Sequence, residues 1–165
     1  MAINDGSTYN DDVRNAGEIA EHLPDEYITT HTAQEEIPFG YAVARGSNAD
    51  AAKIISSATD ELLGIAAQSF EASLLNDMKY AAGDVAGVVR KGIVVVYVEE
   101  AVDPGDPVRV RHTADTNKPN GVFCTTAVAG KTAIVKNAEF KGSTTGQGYV
   151  ALWIDGPFTL IADQA

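Results

Sequence analysis

A chain of 165 residues, 45% hydrophobic and 21% charged, has the length and balance of one folded domain that hides roughly 70% of its unfolded surface. Its 23 acidic against 12 basic residues leave a net charge of −11, which argues against direct nucleic-acid binding and suits a partner presenting basic groups. The single cysteine, Cys124, excludes an intrachain disulfide and a thiolate metal cluster, and the longest apolar run, Ile93 to Val98, is too short to cross a bilayer.

The opening "MAINDGSTYNDD" is acidic and polar, with neither a basic leader nor an apolar stretch, so a soluble, unexported chain is expected. Residues 1–36 read as an extended N-terminal arm. Within it Val13, Ala16, Ile19, Ala20 and Leu23 recur at helical spacing, Asn10 or Asp11 can cap the start and Pro24 stops the run, so a short helix is expected over 11–23. One face of so short a helix is too narrow to fold alone. Tyr9, Val13, Ile19, Leu23, Tyr27 and Ile28, apolar residues in a polar segment, therefore need burial against something else, such as another subunit.

From Ile37 the pattern changes to short apolar runs parted by Gly, Pro, Asn and Asp. Residues 39–45, 84–90, 92–99, 107–112, 122–126, 132–136, 148–154 and 158–162 read as strands, and turn chemistry recurs about every 8 to 12 residues. "VDPGDPV" and the Asn120-Gly121 of "NKPNG" supply turn and hairpin signals. Residues 59–79 are ambiguous: Leu62, Ala66, Phe70, Leu74 and Met78 have helical spacing, whereas Gly64 and the Leu63, Ile65, Ala67 alternation favour a strand over 62–70. The whole reads as mainly β, an antiparallel β-sandwich or small β-barrel over 37–165 preceded by the arm.

No motif demands chemistry. The Gly142–Gly148 run lacks the lysine and the glycine spacing of a phosphate loop and leads into a strand, so it is a connecting loop. His22, His31 and His112 never fall at metal-ligand spacing, and Asp103 and Asp106 flank a turn rather than build a calcium loop; no metal or cofactor is expected. Cys124 reads as a small buried hydrophobe. Glu35-Glu36 and Glu99-Glu100 are adjacent pairs that diverge on a strand, and so read as solvated charges or sites for basic partner groups. Phe39, Trp153 and Phe158 are expected in the core or at a subunit interface.

The order "EEIPFGYAVARG", "DELLGIAAQS", "YAAGDVAGVVRKGIVVVYVEEAVDPGDPVRVR" and "AEFKGSTTGQGYVALWIDGPF" resembles the cement, or head decoration, proteins of tailed bacteriophages. The likeness runs from about Glu36 to Phe158. It implies a non-enzymatic virion protein, made in the host cytoplasm and bound to the capsid exterior. There it would staple major capsid protein subunits, and it would itself be a homo-oligomer, a trimer before a dimer. Tyr9, Val13, Ile19, Leu23, Tyr27 and Ile28 are then the expected capsid contacts. Two rival readings are a carbohydrate-binding or tail-associated β-sandwich using Trp153 and loop tyrosines, and a small hydrolase whose site is scattered through the sequence.

Overall fold

The computed structural model describes residues 15–69, 72 and 77–164. In chain order its strands are β1 (Ile19–Glu21), β2 (Tyr27–Ala33), β3 (Ile37–Pro38), β4 (Ala42–Arg45), β5 (Ala51–Ile54), β6 (Leu62–Ala66) and β7 (Lys79–Tyr80). They continue with β8 (Val85–Val98), β9 (Arg109–Arg111), β10 (Phe123–Cys124), β11 (Thr132–Val135), β12 (Ala138–Phe140), β13 (Gly148–Asp155) and β14 (Leu160–Ala162).

The 14 residues of β8 are the spine. Two strands were expected here, split at Lys91-Gly92. They are one, because β13 pairs without interruption from Lys91 to Val98 and the β-branched run on either side of Gly92 extends well. Both edges of β8 are occupied. Val88 and Val89 meet β2 and β6, Lys91 meets Tyr27 and Asp155, and Ile93 and Val94 meet β1 and β13. At the far end Val98 pairs with Gly148 and, in parallel, with Phe123.

The first half of β8 closes a five-stranded barrel in the order β8-β2-β5-β4-β6-β8. All of its pairings are antiparallel except the parallel β2–β5 contact. Side chains fill so small a barrel: Ala33, Val43, Ala52, Leu63, Ala66 and Val88 share one cluster, joined by Ile37, Phe39 and Tyr80 from the short β3–β7 pair. The Phe39 and Tyr80 rings meet edge to face at 5.1 Å. The Tyr80 hydroxyl donates to Ala67 O at 2.7 Å and accepts from Gly87 N at 3.2 Å, so its polar end is satisfied inside the wall. Closure at β6–β8 depends on Gly64, where any Cβ would run into the Val89 carbonyl oxygen.

The opposite faces of β4, β6 and β8 pack on a second β layer. Ala42, Ala44, Leu62, Ile65 and Val89 join Val94, Val96, Phe123, Phe140, Leu152 and Ile154 in the larger cluster. Burial on both faces explains why "LLGIA" fits a two-residue and a helical period equally well: all five residues are buried. Residues 62–66 are thus strand, shorter than the 62–70 expected.

The second half of β8 carries β1, β13 and β12, and β10 leads outward through β9 and β11 to β14. The Asp103–Asp106 turn forms as expected, with Asp106 N donating to Asp103 O at 3.1 Å and Asp103 N to Asp106 Oδ2 at 2.9 Å. The β9–β10 hairpin reverses at Asp115–Lys118, whose backbones bond each other at 2.8 and 3.0 Å, not at Asn120-Gly121. Gly121 serves a different end, since a Cβ there would lie 2.7 Å from Ile54 Cγ2 and 3.0 Å from the Tyr41 ring.

Residues 15–36 differ most from expectation. The expected helix over 11–23 is not formed in its described part: residues 16–17 turn and Ile19–Glu21 is strand. β1 and β2 run one after the other, antiparallel to β8 and interrupted by residues 22–26. Backbone pairing with β8 satisfies more groups than a short helix interrupted by Gly17 would. The segment read as an arm thus supplies two strands of the main sheet.

Candidate functional site

Three regions hold the residues with chemical or binding potential. The first is a polar network where β8 ends. Arg111, 1% exposed, donates from Nε and Nη2 to the Glu99 carboxylate at 2.7 and 2.6 Å, and Lys118 Nζ lies 3.3 Å from the same group. Glu100 points the other way and accepts from Thr125 N, Thr126 N and Thr126 Oγ1 at 2.8, 2.7 and 2.8 Å. Burial alone would raise the Glu100 carboxyl, but these hydrogen bonds outweigh it and hold it below the usual carboxylate range. Arg109 Nε reaches both Asp163 oxygens at 3.2 and 3.1 Å, and Thr132 Oγ1 donates to Asp163 Oδ2 at 2.6 Å. The adjacent carboxylates do diverge, yet they are not the solvated charges expected: Glu99 and Glu100 are both spent internally.

Beside this network, burial pushes the Cys124 thiol up to about 12, which leaves it protonated and unreactive at neutral pH. Burial likewise lowers His112, whose Nε2 finds no protein partner among the described residues. Among the described residues no group of three or more His, Cys, Asp or Glu side chains could hold a metal ion. The Gly142–Gly148 loop joins β12 to β13 and is tied down at Thr144, whose N donates to Val102 O at 2.9 Å and whose Oγ1 accepts from Val102 N at 3.2 Å.

The second region is the outer face of β2 and the start of β8. The seven residues "YITTHTA" contain no Lys, Arg, Asp or Glu. Ile28, Thr30 and Thr32 alternate to one side, and Thr32 faces Val85 across the pair. Tyr27, Ile28 and Val85 are 56%, 40% and 70% exposed. An uncharged, β-branched exposed strand face in so acidic a protein has the character of a contact surface.

The third is a cleft of about 420 Å³. Tyr97 and Tyr149 pair across β8 and β13, ring centroids 5.5 Å apart at 66°, and Tyr41 lies with them over Gly121. Phe39, Asn15, Asp77 and Met78 complete the walls. Burial, with the neighbouring Tyr97 and Tyr149 phenols, raises the Tyr41 hydroxyl above its ordinary value.

The expected contact residues divide. Tyr9 and Val13 lie outside the described residues. Ile19 packs against the larger core cluster, Leu23 is half-buried, and Tyr27 and Ile28 face outward. Phe39 is core at 1% exposure, Phe158 packs on the core edge, and Trp153 is half-buried in β13 opposite Ile93 and Glu139. Val85 and the tyrosine cleft were not foreseen. Tyrosines spaced among apolar strand residues were the available signal, since a phenol needs one wet end.

Comparison with known proteins places these features in context. Residues 6–154 match the family described as structural cement protein (E217 gp24/Pam3 gp6). A chain of the capsid of Myoviridae phage XM1 superposes with a TM-score of 0.70 at 20% identity, covering 94% of this chain and 98% of that one, which shows a shared fold. The head fiber gp8.5 N base of bacteriophage phi29 gives a TM-score of 0.48 at 13% identity, over 79% of this chain and 94% of that one. No curated protein matches the chain.

Proposed function

Because this chain belongs to the phage structural cement protein family, and so has a capsid-associated structural role, we propose that it binds the outside of a phage capsid and staples neighbouring major capsid protein subunits. The reading assigns it no reaction. The observation that carries the contact is the uncharged face of β2 and β8, where Tyr27, Ile28 and Val85 stand exposed around a threonine row. A closed barrel behind that face resists deformation, because every wall strand is paired on both edges and β4, β6 and β8 are also packed on both faces. Many equivalent copies on one shell multiply a contact that is modest at each site. Ile19 is better spent on the protein's own core, and Tyr27 and Ile28 remain as capsid contacts. A homo-oligomer, trimer before dimer, belongs to the same reading.

The test is sedimentation of shells prepared without the protein, mixed with the wild-type chain or with a Tyr27→Ser, Ile28→Ser, Val85→Ser triple variant. The wild type should pellet with the shells, and the variant should bind at least about tenfold more weakly, as loss of exposed anchors does. A wild-type chain that stays in the supernatant would overturn the reading. Sedimentation velocity of the protein alone reports its oligomer.

A further inference from the structure

The cleft between the β3 and β13 regions has a specific chemical character. Three tyrosines, Tyr41, Tyr97 and Tyr149, line it together with Asn15. Among the described residues that line it, only Asp77 carries a formal charge. Aromatic faces are electron-rich and attract a cation stacked over them. A carboxylate at the rim adds direct pairing, and the chain's net charge of −11 draws positive groups towards the surface. A wholly apolar occupant would desolvate the phenols and Asp77 without returning hydrogen bonds. An ammonium would satisfy the charge but offers no flat surface to the rings. A guanidinium supplies both, with five donors in one plane.

We propose that this cleft receives an arginine side chain from the capsid shell, the guanidinium stacked on Tyr41, Tyr97 and Tyr149 and paired with Asp77. The inference rests on the capsid-binding function above and names the partner chemistry at one contact. The arginine enters beside Asn15 and Met78, its stem along Phe39, and the phenol oxygens and the Asp77 carboxylate accept its N–H bonds. Asp77 sits at φ 52°, a backbone region that asparagine also tolerates, so Asp77→Asn removes the charge while leaving the turn in place.

The full-length protein, with its tyrosine rings labelled for NMR, is titrated with acetyl-Gly-Arg-Gly-amide. Matched peptides carry citrulline, lysine or norleucine instead. The arginine peptide should shift the Tyr41, Tyr97 and Tyr149 rings with weak affinity, on the order of millimolar, and bind about threefold to fivefold more tightly than citrulline. Asp77→Asn should reduce arginine binding to the citrulline level, and Tyr149→Leu should weaken it further. Equal binding of citrulline or norleucine, an unchanged affinity in Asp77→Asn, or shifts confined to other surfaces would each overturn the proposal. Shell sedimentation separates the two levels. If wild type and Asp77→Asn/Tyr149→Leu pellet equally, the arginine contact is wrong and the capsid reading stands. If the wild type does not pellet, the capsid reading fails whatever the peptides do.

Discussion

The barrel and the layer outside it are held by different physics. Inside the barrel the cluster is Ala, Val, Leu and aromatic carbon, with the Tyr80 hydroxyl as its buried polar group, bonded in the wall. The outer layer has a large apolar cluster of its own, but its periphery is pinned by charge: Arg111 on Glu99, Arg109 on Asp163, and Glu100 on the Thr125-Thr126 backbone. The ion pairs of the five-stranded barrel, such as Arg45 with Glu61, lie at the solvent-facing rim. The barrel fixes its register chiefly through shape, since a one-residue slip would turn each strand inside out. Strands of two or three residues such as β9, β10 and β14 carry too few ladder bonds for that. Directional, buried hydrogen bonds fix where they sit.

Arg111→Ala puts this contrast to its hardest test. It leaves the buried Glu99 carboxylate with only the more exposed Lys118 ammonium at 3.3 Å and should cost about 3–5 kcal/mol in urea unfolding, while Arg111→Met with Glu99→Leu recovers most of that loss. A small loss for Arg111→Ala alone would mean that apolar packing holds both layers. In the barrel the sharpest probe is Gly64→Ala, expected to cost about 1–3 kcal/mol, because a Cβ cannot pass the Val89 carbonyl without opening the seam.

Acid should act on the polar layer next. His112 is lowered from its ordinary value of 6.5, by burial first and then by nearby Arg111, against the pull of Asp60 and Asp163. Both states are neutral at higher pH. Below about 6.5 the unfolded chain takes the proton first, so stability falls with pH from there. Glu100 and Asp60, held below the usual carboxylate range, contribute stability that is lost further down, as pH drops through their folded values. The urea midpoint should therefore decline steadily from pH 7 towards 4, and His112→Gln should flatten the upper part of that decline. The smallest effect is expected at Lys91, whose ion pairs to Asp25 and Asp155 are solvent-exposed; Lys91→Met should leave the urea midpoint within error of wild type.

Where large apolar residues dominated a strand, the sequence was readable. "GYVALWID" and "TAIV" alternate or stay apolar over strand length and fold as β13 and β11. β5, "AAKI", was not foreseen because two alanines carry little strand signal, and β2 was missed because its outer face, all threonine and isoleucine, looks like an uncommitted polar segment. The same strand supplies the exposed face proposed as the capsid contact, so the strand hardest to read from sequence is also the one the proposal turns on. The tyrosine cleft draws on β8, β13 and the residues around β3, and no local pattern announces a meeting of segments more than 50 positions apart.

By itself the sequence determined the β character, the turn at Pro104-Gly105, the inert Cys124 and, through the order of its motifs, the family. These depend on local propensity and composition, which each residue carries with it. Only the tertiary structure decided that residues 85–98 are one strand, that residues 19–33 belong to the sheet, and that Glu99 is buried with Arg111. Those outcomes depend on which edge or charge is left to be satisfied once the rest of the chain has closed, and that is a property of the whole fold.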